Sequence, residues 1–134
     1  MRRLLAGLVL GTTALVSVAP VASAEGSTDP VRPEKIELRC RKAVIVIEED
    51  GETRRKLVIG CRWSGSEHPD FARYRLVRKV DEQPRMIVFR SDDVDRHRFI
   101  DRRVRKGHEF TYRLVVVDDE GNVIGLSNKA VVTT

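Results

Sequence analysis

Histidine and aromatic residues are scarce in this chain, and the scarcity excludes whole classes of chemistry. Only His68, His97 and His108 are available as imidazole bases. They fall in three separate segments, so no base, nucleophile and orienting group gather in one pattern. No glycine-rich stretch has phosphate-cradling spacing, and no serine stands in a nucleophile elbow. The expectation is a chain that is not an enzyme and that carries no cofactor or metal. One Trp, two Tyr and four Phe leave few rings to stack on bases, which argues against a nucleic-acid partner. Helical periodicity is also missing: no segment repeats its apolar residues at three and four.

Long apolar runs are confined to the start. "MRRLLAGLVLGTTALVSVAPVASA" opens with Arg2 and Arg3, continues through a short apolar segment, and ends on Ala22-Ser23-Ala24. That is the pattern of a secretory signal cut between Ala24 and Glu25. Gly11, Thr12, Thr13 and Pro20 interrupt the run, and a spanning helix needs about 20 largely apolar residues. Residues 1–24 are therefore expected to be a signal peptide, residues 25–33 a flexible leader, and residues 34–134 one domain. No cysteine follows the cleavage site to carry a lipid and "AVVTT" is no hydrophobic tail, so the mature chain is expected to be secreted, without a membrane span. It would have 134 − 24 = 110 residues, enough for one modest core. Loss of Arg2 and Arg3 takes the formal charge from +5 to +3 (5 − 2 = 3), too little for nucleic acid. Arginine outnumbers lysine 19 to 6, the bias of a GC-rich coding sequence, and suggests a bacterial source.

Cysteine is limited to Cys40 and Cys61, which an exported chain can oxidise to a disulfide. Asp50-Gly51 is a strong hairpin signal, and a two-residue turn there pairs residues whose numbers sum to 101. Cys40 and Cys61 meet that condition. Counting out from a hydrogen-bonded pair at Glu49 and Glu52 makes the cysteines a non-hydrogen-bonded pair, where side chains approach closely. The same register turns Ile45, Ile47 and Val58 away from Val44, Leu57 and Ile59. Either the hairpin is apolar on both faces or a bulge shifts its register.

What fills the rest of the chain is alternation at period two. "KIELRC" places Ile36, Leu38 and Cys40 on one face, and "KLVIGCRWS" does the same for Leu57, Ile59, Cys61 and Trp63. "FARYRLVRKV" sets Tyr74 and Leu76 inward, "PRMIVFR" and "DRHRFID" are short strands, and "HEFTYRLVVVDD" sets Phe110, Tyr112, Leu114 and Val116 inward. "VIGLSNKAVVTT" closes the series. Seven or eight strands at this spacing indicate an all-β antiparallel sandwich.

Trp63, "YRLVR", "VRKGHEFTYRLVVVDDEGN" and the closing "SNKAVVTT" together resemble a fibronectin type III domain over residues 34–134. The resemblance implies an immunoglobulin-like sandwich of about seven strands, with the strand-B tryptophan packed on the strand-C tyrosine and strands C and F as neighbours. Two departures stand out. At the corner entering strand F the family's tyrosine is absent from Val104-Arg105-Lys106-Gly107-His108-Glu109-Phe110, so its backbone hydrogen bond, about 1 kcal/mol net, must be replaced or forgone. The stretch "RKAVIVIEEDGETRR" is also long for the family, and an extra disulfide-stapled hairpin there is expected to offset the missing corner.

The acidic run Asp118-Asp119-Glu120 falls, by this resemblance, at the tip between strands F and G, with Gly121-Asn122 supplying the reversal. Adjacent carboxylates on an extended chain point to opposite faces and do not converge on a cation. "SDDVD" (Asp92, Asp93, Asp95) reads the same way. The surface singled out is the outer face of strands C and F. There Arg73, Arg75 and Val77 would lie beside Arg113, Val115 and Val117, a mixed basic and apolar patch suited to a protein or to an anionic polysaccharide or cell-wall polymer. A secreted non-catalytic binding or adhesion module is the expectation. The alternatives are a structural spacer without ligand and a secreted enzyme inhibitor.

Overall fold

The computed structural model describes residues 32–134; the segment expected to be a signal peptide, the cleavage point expected at Ala24/Glu25 and residues 25–31 of the expected leader lie outside the described residues. Nine strands and no helix make up the described chain: β1 (Glu34–Ile36), β2 (Leu38–Glu49), β3 (Glu52–Trp63), β4 (Arg73–Val80), β5 (Met86–Ser91), β6 (Arg98–Asp101), β7 (Glu109–Val117), β8 (Val123–Ser127) and β9 (Ala130–Thr133). One sheet runs β2-β3-β6. The other runs β1-β8-β7-β4-β5, with β9 also on β7. The result is an all-β, immunoglobulin-like and fibronectin type III-like sandwich.

Nine strands rather than about seven arise because the first and last are each divided. β1 pairs in parallel with β8, and after the single residue Glu37 the chain crosses to pair antiparallel with β3. The crossing leaves backbone groups to satisfy. Glu37 exchanges bonds with Ser64, its N–H donating to Ser64 Oγ (2.9 Å) and its carbonyl accepting from Ser64 N–H (3.0 Å). The Asn128 amide bonds both the N–H and the carbonyl of Leu38, at 2.8 and 3.0 Å. At the other break, Leu114 N–H donates to Ser127 Oγ (2.7 Å) in place of a ladder carbonyl.

The inward residues meet as alternation requires. Ile36, Leu38, Ile59, Cys61, Trp63, Tyr74, Leu76, Phe110, Tyr112, Leu114, Val116 and Val132 form the buried core. Trp63 and Tyr74 pack edge to face with centroids 5.8 Å apart. The Tyr74 hydroxyl also ties two loops together, accepting from Ser66 N–H and donating to the Val94 carbonyl, each at 2.8 Å.

The β2–β3 hairpin keeps one register throughout, from Leu38 opposite Trp63 to Glu49 opposite Glu52. Cys40 faces Cys61 with Cα atoms 4.1 Å apart, and the two form a disulfide. Asp50 (φ 54°) and Gly51 (φ 78°) make the two-residue turn. No bulge intervenes; the arm is apolar on both faces because it projects past the sandwich. Val44 and Val46 are each 61% exposed.

The corner entering β7 has no tyrosine, and residues outside the β2–β3 hairpin supply its bonds. Thr134 Oγ1 donates to the Arg105 carbonyl (2.7 Å), and the Thr134 backbone exchanges bonds with Gly107 and His108 at 3.0 Å each. Asp81 accepts from Glu109 N–H (2.9 Å) and lies 2.6 Å from His108 Nδ1. These contacts hold the Asp81 carboxyl below the usual carboxylate range, the Glu109 N–H first and the His108 side chain next.

Candidate functional site

The outer face of the six-stranded sheet is set first by the register between its two central strands. In β4 and β7, Arg73 faces Val117, Arg75 faces Val115 and Val77 faces Arg113. Partners in an antiparallel pair share a face, so the sheet brings together the residues expected there. Extending the middle row across the sheet adds residues that sequence reading missed. Lys35 on β1 faces Leu126 on β8, Leu126 faces Val115, and Arg75 faces Arg90 on β5. The row reads Lys35, Leu126, Val115, Arg75, Arg90. Its ends are basic and its centre apolar.

Val117 is a correction: it is buried at 2% exposure and offers nothing to a ligand. The β7–β8 pairing shifts between Val116 and Val117, so Val117 faces Val123 and Ile124 becomes the extra residue. Such a bulge re-aims the neighbouring side chains. Val77, Val115 and Arg113 are half-buried, while Arg73 and Arg90 are exposed.

The electrostatics of the face are one-sided. Among the described residues no ion pair involves Arg73, Arg75, Arg90 or Arg113. Arg113 Nε donates to the Ser127 carbonyl at 3.1 Å, which holds that side chain against the sheet. Arg75 Nε is buried and has no hydrogen-bond partner among the described residues. Like charges placed directly opposite across two strands are destabilising, and the Arg75–Arg90 pair is of that kind.

A second group escaped sequence reading because its members are far apart in the chain. Arg78 lies on the inward face of β4, where its Nη1 pairs with Asp101 Oδ2 at 2.8 Å and both side chains are buried. The Tyr112 hydroxyl donates to the same oxygen (2.8 Å), and Arg103 N–H donates to Oδ1 (3.0 Å). Arg78 also sits over the Phe110 ring, 6.0 Å from its centroid. Burial first, and the bond to Asp101 second, push the Tyr112 hydroxyl far above its ordinary value. The group is enclosed in the core and structural.

The acidic tip is occupied by its own loop. Asp118 Oδ1 accepts from the N–H groups of Glu120 (3.0 Å) and Asn122 (2.8 Å), and Oδ2 accepts from the Asn122 side-chain amide (3.1 Å). Desolvation opposes them, but these bonds prevail and hold the Asp118 carboxyl below its usual range. Gly121 takes φ 83° to close the turn. Of the histidines, His68 Nδ1 accepts from Asp70 N–H in a turn, His97 lies just before β6 with Nε2 3.1 Å from the Val94 carbonyl, and His108 is at the corner with Asp81. The three occupy separate places. No helix among the described residues is long and apolar enough to cross a membrane.

No protein-family model matches the sequence, and no curated protein matches it. Solved structures do. A pectate lyase of Pectobacterium carotovorum superimposes with a TM-score of 0.51 at 14% identity, over 75% of this chain and 27% of that one. A pectate lyase of Erwinia chrysanthemi gives 0.50 at 18% identity, over 75% and 28%. An Fn3-like protein of Clostridium thermocellum gives 0.43 at 15% identity, over 66% of this chain and 84% of that one. The chain thus spans little more than a quarter of the pectate lyases it matches, and at these identities the likeness is one of fold.

Proposed function

We propose that this chain is a secreted, non-catalytic binding module whose outer sheet face takes an anionic extracellular polysaccharide or cell-wall polymer. The observation that carries the reading is the Arg75–Arg90 pair, two like charges opposed across β4 and β5, neither of which forms an ion pair among the described residues. A sequence selected for stability alone would place an acid or a neutral residue at one of the two positions. A polymer carboxylate, sulfate or phosphate relieves the repulsion and can bond guanidinium groups in bidentate fashion. Val77, Val115 and Leu126 give the same face an apolar floor for sugar rings.

Replacing Arg73, Arg75 and Arg113 together with Ser tests the reading. The fold is expected to survive, and the variant should elute from heparin or immobilised teichoic acid at distinctly lower salt than wild type. Wild-type retention should itself fall steeply with salt, as screened charge requires. Arg32→Ser, at an exposed position before β1, serves as the control. Identical elution of the triple variant and wild type refutes the binding face and leaves the spacer as the better reading.

A further inference from the structure

We infer that the β2 edge of the projecting hairpin is a self-pairing surface, through which two copies of this chain form a closed antiparallel dimer. Among the described residues β2 is the end strand of its sheet and pairs only with β3. The ladder fixes which of its groups are free. With Glu49 and Glu52 as the hydrogen-bonded pair beside the turn, odd-numbered residues of β2 bond to β3. Lys42, Val44, Val46 and Glu48 then direct their N–H and C=O groups away from β3. Among the described residues no backbone group takes those bonds.

Edge strands are ordinarily protected by proline, a bulge or a mid-strand charge. None is present from Ala43 to Ile47, where the residues are Ala, Val, Ile, Val and Ile. The register with β3 is unbroken there.

The flanking charges identify the occupant. β2 reads Arg41-Lys42, then the five apolar residues, then Glu48-Glu49. It is basic at one end, acidic at the other and apolar between. Antiparallel pairing with a second copy about Ile45 sets Arg41 against Glu49 and Lys42 against Glu48 at both ends. It also sets Val44 against Val46, and Ile45 against its own equivalent. Every charge meets its opposite under one two-fold axis, the self-complementarity an isologous dimer requires. The backbone agrees: the outward-facing residues pair as Lys42 with Glu48 and Val44 with Val46, each pair exchanging two hydrogen bonds. Leu57 lies beside Val44 on β3, so the joined sheet carries a continuous apolar cluster on that face. The pairing is closed, because each copy uses its one free β2 edge.

Sedimentation equilibrium over micromolar to millimolar concentration tests the inference, with circular dichroism confirming the fold of each variant. Wild type is expected to dimerise. Val46→Pro removes an outward N–H and no bond to β3, so it should abolish the dimer while leaving the monomer folded. The charge-swapped variants Arg41→Glu/Lys42→Glu and Glu48→Lys/Glu49→Lys should each raise the dimer dissociation constant by about tenfold or more, since like charges then oppose at both ends. Mixed together they should associate again, since each supplies the charges the other needs. A wild type that remains monomeric at millimolar concentration overturns the proposal. So does a dimer that survives Val46→Pro, or a pair of swapped variants that do not recover on mixing.

Discussion

Asp101→Ala should be the most damaging single substitution at any polar side chain of the described domain. Asp101 is 3% exposed and its carboxylate collects three donors: Arg78 Nη1 at 2.8 Å, the Tyr112 hydroxyl at 2.8 Å and Arg103 N–H at 3.0 Å. Truncation leaves the Arg78 guanidinium buried without its counter-charge, and Arg78 Nε already has no partner among the described residues. Breaking a buried pair from one side costs about 3–5 kcal/mol. A domain of this size has only about 5–15 kcal/mol of stability. The substitution therefore removes a large part of it. Urea unfolding followed by the fluorescence of Trp63, the single tryptophan, reports the change directly.

The partner substitution separates charge from packing. Arg78→Met combined with Asp101→Leu removes both ions and fills their space with apolar volume, an exchange that is often neutral in itself. It still strands the Tyr112 hydroxyl, at about 1–3 kcal/mol. The double variant should therefore be more stable than Asp101→Ala alone. A loss below about 1 kcal/mol for Asp101→Ala, or a double variant less stable than that single one, would refute the account of a paired buried charge.

Cys40→Ser should lower stability by about 2–5 kcal/mol, read from the same urea transition; an unchanged midpoint would make the disulfide incidental. Both tyrosines are held above their ordinary ionisation, Tyr74 chiefly by burial and Tyr112 by burial and then by Asp101. A raised folded pKa means that this contribution to stability is complete below about pH 10, the value in the unfolded chain, and is lost as the pH rises toward the folded value. Phenolate absorbance should consequently appear together with alkaline unfolding; a titration near pH 10 with the fold intact would contradict the burial.

The parts of the fold that could be read from sequence are those where one local feature fixes a long-range result. Asp50-Gly51 sets a two-residue turn, the turn sets the register, and the register brings Cys40 opposite Cys61, ten residues out from Asp50 and Gly51 respectively. Alternation placed Trp63, Tyr74 and Phe110 inward for the same reason. The misreadings lie where the outcome depends on which strand becomes a neighbour. Arg90 and Leu126 join the outer face because β5 and β8 flank β4 and β7, and "MIVFRS" carries no mark of its neighbour. Val117 followed alternation until the bulge at Ile124, for which its own strand holds no signal. Arg78 obeyed alternation, yet an arginine reads as exposed unless its acid is known, and Asp101 is 23 residues away. The corner bonds were hidden for the same reason, since Thr134 and Asp81 come from distant parts of the chain.

The length of the β2–β3 hairpin follows from how its two ends are held. A two-stranded ribbon alone is marginal in water, and here the strands run past the point where β6 stops pairing with β3 at Ile59. In the segment beyond, Val58 alone is fully buried, Ile45, Ile47 and Leu57 are half-buried, and Val44 and Val46 are exposed. The segment is constrained covalently near its base by Cys40–Cys61 and conformationally at its tip by the Asp50-Gly51 turn. Constraint at both ends restricts fraying and slippage without covering the β2 edge. An edge ordered before it meets a partner has less conformational entropy to lose on pairing. The disulfide thereby acts on two levels, stabilising the sandwich through the loop it closes and presenting the projecting strand in a single register.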